Sequence, residues 1–194
     1  MNVRTAFVAA PLLILAYGLI RIADGFDGER GPGLAWTTGH LAFLAALVLF
    51  VPIFREMRRM LGGTPLATAG LVIGVAGLAC AGAQFVIDIV VGLMAADHAA
   101  MSVLFDQVQA VPGVQLAVYD AGPFLFYAAQ LMLVTHLAAR RLVKAWTPLL
   151  VLLDLALPII DRDFIPVGAL LLLVSFLPLA RRSAPAPRHI PAHA

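Results

Sequence analysis

The charges of this chain sort to opposite ends of a series of hydrophobic stretches, and that sorting limits the fold more than any other feature. Ten of the thirteen Lys and Arg (Arg4, Arg55, Arg58, Arg59, Arg140, Arg141, Lys144, Arg181, Arg182 and Arg188) occupy the N-terminal segment, two alternate loops and the C-terminal tail. Nine of the eleven Asp and Glu (Asp24, Asp27, Glu29, Asp88, Asp97, Asp106, Asp120, Asp161 and Asp163) fall in the other loops or at the span ends beside them. Lys and Arg in short loops stay on the cytoplasmic side, so the basic segments are expected inside and the acidic ones outside. A chain that begins and ends on one side crosses an even number of times. Six crossings fit the sequence: 5–22, 34–54, 64–94, 116–138, 148–160 and 165–179. The expected fold is therefore all-α, a polytopic helix bundle over 1–182 in the inner membrane. Both termini are expected in the cytoplasm, with a disordered tail at 183–194.

Composition excludes a soluble globular domain. The chain is 62% hydrophobic and 12% charged, where soluble domains carry about 25% charged residues. Its pI near 9.1 comes from topology signals and contacts to anionic lipid, so no nucleic-acid partner is implied. Cysteine occurs once, at Cys80 within the third stretch, which excludes a disulfide or a paired-thiol redox centre within one chain.

Local signals place the helix ends. Trp36 marks an interface at the start of the second stretch, and Arg55, Arg58 and Arg59 anchor its end. Thr64-Pro65-Leu66 reads as a capped helix start, and Thr147-Pro148-Leu149 repeats it. Gly70, Gly74, Gly77 and Gly82 give the third helix a small-residue face for close approach, which suggests a central place in the bundle. In the long loop 95–115, Met101, Leu104, Phe105 and Val108 recur with helical spacing, so an amphipathic interfacial helix is expected there. The last two stretches are shorter than the roughly 20 residues a full crossing prefers.

Ionisable residues inside spans cost roughly 2.5 to 3.5 kcal/mol at a helix centre, so each needs a partner or a purpose. Asp88 has Gln84 one turn before it, and Asp120 shares a face with Phe124 and Tyr127. Asp154 lies midway along the fifth stretch with Asp161 two turns on, and His40 lies near the start of the second. These groups converge on the acidic half of a bundle. Burial favours the neutral carboxylic acid, the form that donates protons. The candidate catalytic acids are accordingly Asp88 and Asp120, followed by Asp24 and Asp161. Trp36, His40, Gln84, Phe85, Tyr119, Phe124 and Tyr127 are the candidate substrate contacts, with aromatic faces able to stabilise a carbocation. No metal motif, cofactor motif or nucleophile elbow occurs, so no metal or cofactor is expected.

Gly39-His40-Leu41, followed by an apolar helix ending in Phe54-Arg55 and Arg58-Arg59, resembles small actinobacterial-type membrane proteins. In size and hydropathy the chain is similar to the small membrane-bound terpene cyclases of bacterial meroterpenoid and indole-terpenoid pathways. That resemblance implies acid-initiated cyclisation of a hydrophobic prenylated molecule without a metal. It lies in architecture and intramembrane acids, so it transfers no catalytic position, and the fungal relatives have seven spans where six are counted here. Two other classes compete with it: a proton, cation or small-solute transporter subunit, and a non-catalytic protein that binds membrane lipid or a partner. Polar residues thin out below Gln130, which favours a blind pocket on the acidic side over a path through the membrane.

Overall fold

The computed structural model describes residues 2–26, 28 and 30–183. Asp27, Glu29 and the tail beyond Ser183, where disorder was expected, lie outside the described residues. Seven α-helices are present among those described: α1 (Val3–Asp24), α2 (Leu34–Met60), α3 (Pro65–Met94), α4 (His98–Gln109), α5 (Ala121–Ala139), α6 (Thr147–Ile160) and α7 (Ile165–Arg182). Five helical segments are long and apolar enough to cross a membrane, which makes this a multi-pass membrane protein. The 22 residues of α1 extend about 33 Å at 1.5 Å per residue, against a hydrocarbon core of about 30 Å.

The fifth of the six expected crossings is short. With 14 residues, α6 spans only about 21 Å. Its far end nevertheless reaches the level of the C-terminal end of α1, because Asp163, in the 3-10 turn Arg162–Phe164, accepts hydrogen bonds from Arg21 and Arg30. The charge-based reading of six passes thus becomes five long helices plus a short apolar one. Neighbour contacts run α6, α7, α1, α2, α3 and α5 in order, then close from α5 back to α6.

Thr64 caps α3 as its Thr-Pro-Leu start predicts, accepting from the Ala67 N–H. Thr147-Pro148 does not repeat the device. There the helix already includes Thr147, Trp146 holds the cap position, and the buried Thr147 Oγ1 has no partner. The loop helix α4 forms where periodicity placed it, capped by Asp97 on the Ala100 N–H at 2.8 Å.

The small residues of α3 serve two neighbours, Gly70 and Gly77 facing α5 and Gly74 meeting Phe54 of α2 as well as Ala129 of α5. A Cβ at Gly77 would collide with the backbone N of Phe126, so α5 lies directly against α3 there. At the end of the bundle that carries the Arg clusters, Phe7, Phe50, Phe54, Phe126 and Phe176 form the packed core. Rings of Phe7 and Phe176 meet edge-on at 5.4 Å, and those of Phe50 and Phe126 at 4.8 Å. The opposite end, where the acids gather, is built differently.

Candidate functional site

Three helices present matched stripes to one hollow at the acidic end. Tyr17, Arg21 and Asp24 follow helical spacing on α1, Trp36 and His40 on α2, and Gln84 and Asp88 on α3. Between them lies a cavity of about 230 Å³, which Phe85, Arg30 and Arg162 help to line. It is bounded by α1, α2, α3 and the Arg162 turn, not by α5 and α6.

Asp88 is buried at the inner wall. One of its oxygens, Oδ1, accepts a hydrogen bond from the Tyr119 hydroxyl at 3.3 Å, and the other, Oδ2, lies 3.8 Å from His40 Nε2. The backbone carbonyl of Asp88 accepts from the Trp36 indole N–H at 2.8 Å. In turn, His40 Nδ1 sits 2.7 Å from the Trp36 carbonyl. A carbonyl can only accept, so Nδ1 carries a proton, and in neutral His40 the lone pair is on Nε2, facing Asp88. His40 Nε2 and Asp88 Oδ2 are both able to accept, so one proton added to the pair gives either carboxylic acid with imidazole or carboxylate with imidazolium. At 3.8 Å they are too far apart to share it in a direct hydrogen bond, so an atom entering the gap meets both.

Aromatic rings surround this pair. His40 stacks on Trp36 at 4.1 Å and lies 5.3 Å from Phe85, which stacks on Phe43 at 4.2 Å. Tyr17 meets His40, Phe43 and Phe85 edge-on. Trp36 reaches its position because residue 92 is Gly: a Cβ there would lie 2.5 Å from the indole. At the mouth, Arg21 and Arg30 converge on Asp163 at 2.5 and 2.9 Å, tying α1, the first loop and the turn after α6 together.

Of the four acids singled out from the sequence, the structure brings two to the cavity, Asp24 and Asp88. Asp120 is exposed beside α5, where the Gln115 amide donates to it at 2.9 Å. Asp161 is exposed as well and accepts the Asp163 backbone N–H at 2.8 Å. Among the aromatic and polar candidates, Trp36, His40, Gln84 and Phe85 line the cavity. Tyr119 approaches Asp88 from the α5 side without being part of that lining. Phe124 is exposed, and Tyr127 packs on Phe126 at 4.9 Å away from the hollow. Sequence reasoning missed Tyr17 as a wall residue, although its spacing to Arg21 and Asp24 carries the signal. Arg21 and Arg30 both donate to Asp163.

Tyr119 owes its place to a backbone irregularity. Residues Gln115–Asp120 form a π-helical turn ahead of α5, a feature common at functional sites. A regular α-helix read through this segment misplaces both Tyr119 and Asp120. Asp154, half-buried, is held apart on α6, where the Gln130 amide donates to it at 3.4 Å and Gly168 of α7 leaves it room. Among the described residues no three His, Cys, Asp or Glu side chains gather as a metal site. No family model matches the chain, and comparison with curated proteins and with solved structures gives no match.

Proposed function

We propose that this protein is an enzyme of the cytoplasmic membrane that transfers a proton within its acidic half, with both termini inside and the cavity opening outward. The observation that carries the reading is the Asp88–His40 pair, 3.8 Å apart beneath a wall of aromatic rings. Acid-initiated cyclisation of a prenyl chain uses all of these parts. The Asp88 carboxylic acid gives its proton to a terminal alkene or epoxide. The alkene π electrons form the new C–H bond and leave a carbocation, which the faces of Phe85, Trp36 and Tyr17 stabilise. A second alkene attacks and closes the ring. His40 Nε2 takes the proton released at the end, and its return to Asp88 makes the overall change an isomerisation. At about 30 Å³ per water, the cavity holds the volume of roughly eight waters, so only the reacting end of the substrate enters.

The test is incubation of the purified protein with prenylated indoles, quinols and epoxides, with products read by mass and NMR. Cyclised product that disappears in Asp88→Asn, with expression and fold intact, supports the assignment. Product that survives this substitution removes Asp88 from the chemistry. No turnover, combined with proton uptake into proteoliposomes, replaces the enzyme with a transporter. Orientation is tested separately by placing a cysteine at position 30 in a Cys80→Ala background. Labelling from outside is expected, and labelling only from the cytoplasm inverts the topology.

A further inference from the structure

A second hollow lies at the other end of the molecule. Between the start of α3 and the last half of α5 runs a groove of about 480 Å³, walled by Leu66, Ala128, Leu131, Met132 and Ala139. From Ala128 to Ala139 it follows α5 for roughly 16 Å, the depth of one leaflet when the hydrocarbon core is about 30 Å. Lipid fills any groove on a membrane-facing surface, so selectivity has to come from polar groups along it and at its mouth. We propose that this groove is a specific site for one anionic phospholipid, its acyl chain against α3 and α5 and its phosphate on Arg140 and Arg141.

Three observations point to a phosphate rather than to hydrocarbon alone. First, Arg140 and Arg141 follow directly on Ala139 and are exposed. Among the described residues neither has a carboxylate partner, and the ion pair at this end joins Glu56 to Arg59 instead. Second, Arg141 closes α5 with φ of 58°, at a place helices usually give to Gly. Holding an Arg in the left-handed region is unfavourable, which is a reason to look for a role in its side chain. Third, the His136 ring lines the groove with Nδ1 buried and, among the described residues, without a partner. A buried lone pair without a donor is tolerated better than a buried N–H without an acceptor. The ring proton therefore belongs on Nε2, which is not enclosed and can donate to an ester or phosphate oxygen.

The experiment is native mass spectrometry of the full-length protein from mixed micelles containing phosphatidylglycerol and phosphatidylcholine at equal concentration. Retention of phosphatidylglycerol is expected to exceed that of phosphatidylcholine by about tenfold, the scale implied by two basic side chains near one phosphate. Arg140→Gln combined with Arg141→Gly should bring the two lipids to parity. Gly also suits the backbone at 141, so this variant folds at least as well as the parent. Ala128→Phe, which fills the groove, should remove both lipids. Arg181→Gln with Arg182→Gln, on α7, should leave the preference intact. Parity in the parent protein overturns the proposal, as does equal loss in the α7 variant, which reduces the effect to general surface charge. Displacement of phosphatidylglycerol by inorganic phosphate alone also overturns it, because the acyl chain would then contribute nothing.

Discussion

The two ends of the bundle use the same kind of residue to opposite effect. At the basic end, Phe7, Phe50, Phe54, Phe126 and Phe176 sit among Ala, Ile, Leu and Met side chains and fill the interior between the helices, leaving the groove of α3 and α5 to the side. At the acidic end, Tyr17, Trp36, Phe43 and Phe85 are as closely clustered, yet a hollow remains. The difference lies in their neighbours. Arg21, Arg30 and Arg162 are long side chains that need polar partners, and the first two turn toward Asp163 at the surface. Asp88 and His40 take their bonds from a hydroxyl, an indole and a carbonyl at fixed positions, which stops the helices from collapsing over them. Aromatic content alone therefore does not locate a pocket; an aromatic cluster with a satisfied polar floor does.

The strongest break in this contrast is Phe50→Ala against Phe85→Ala. Phe50 is fully buried and touches Phe54, Phe126 and Phe176, so its removal should cost about 3 to 5 kcal/mol. Phe85 already borders empty space, so truncation there creates less new cavity and should cost clearly less. Thermal unfolding in detergent measures both, and equal losses would mean that the acidic end is as tightly packed as the basic one. Next in size is Asp88→Asn against Asp154→Asn. Loss of a general acid removes about 10²-fold or more in rate, so Asp88→Asn should fall at least that far. Asp154→Asn keeps a side chain that can bond Gln130 and should leave turnover unchanged. If both abolish activity, the two acids act together and the cavity is not the whole site.

Much of this contrast was legible from the sequence, and the misses have identifiable causes. Charge sorting and hydropathy found five long apolar helices and the shorter α6, and the Met101, Leu104, Phe105 periodicity found α4. Asp88 and His40 were legible because polar residues on otherwise apolar helical stripes are costly unless paired. Asp120 and Asp161 were chosen by the same rule and came out exposed, since each lies within a residue of a helix end, where burial depends on backbone detail. The π-helical turn at Gln115–Asp120 has no simple sequence signature, and it rotates the face on which Asp120, Phe124 and Tyr127 were aligned. Arg21 and Arg30 found Asp163 across more than 130 residues of sequence, a pairing that no local pattern encodes.

Tyr119 and Asp120 lie side by side on that turn, and they set the finest test of the two-ended picture. The Tyr119 hydroxyl donates to Asp88 Oδ1. Tyr119→Phe therefore removes one bond that holds the acid in place, without filling or opening the cavity. A loss of about tenfold in kcat is expected, close to the 1.4 kcal/mol of an ordinary hydrogen bond, with little change in KM. Among the described residues the Asp120 side chain bonds a neighbouring glutamine at the surface, so Asp120→Asn should change neither rate nor stability beyond about 0.5 kcal/mol. The order of these two effects matters more than their size. A Tyr119→Phe variant with full activity, beside an inactive Asp120→Asn, would move the proton donor to the exposed surface of the acidic end and leave the Asp88–His40 pair as a structural clasp between α2 and α3.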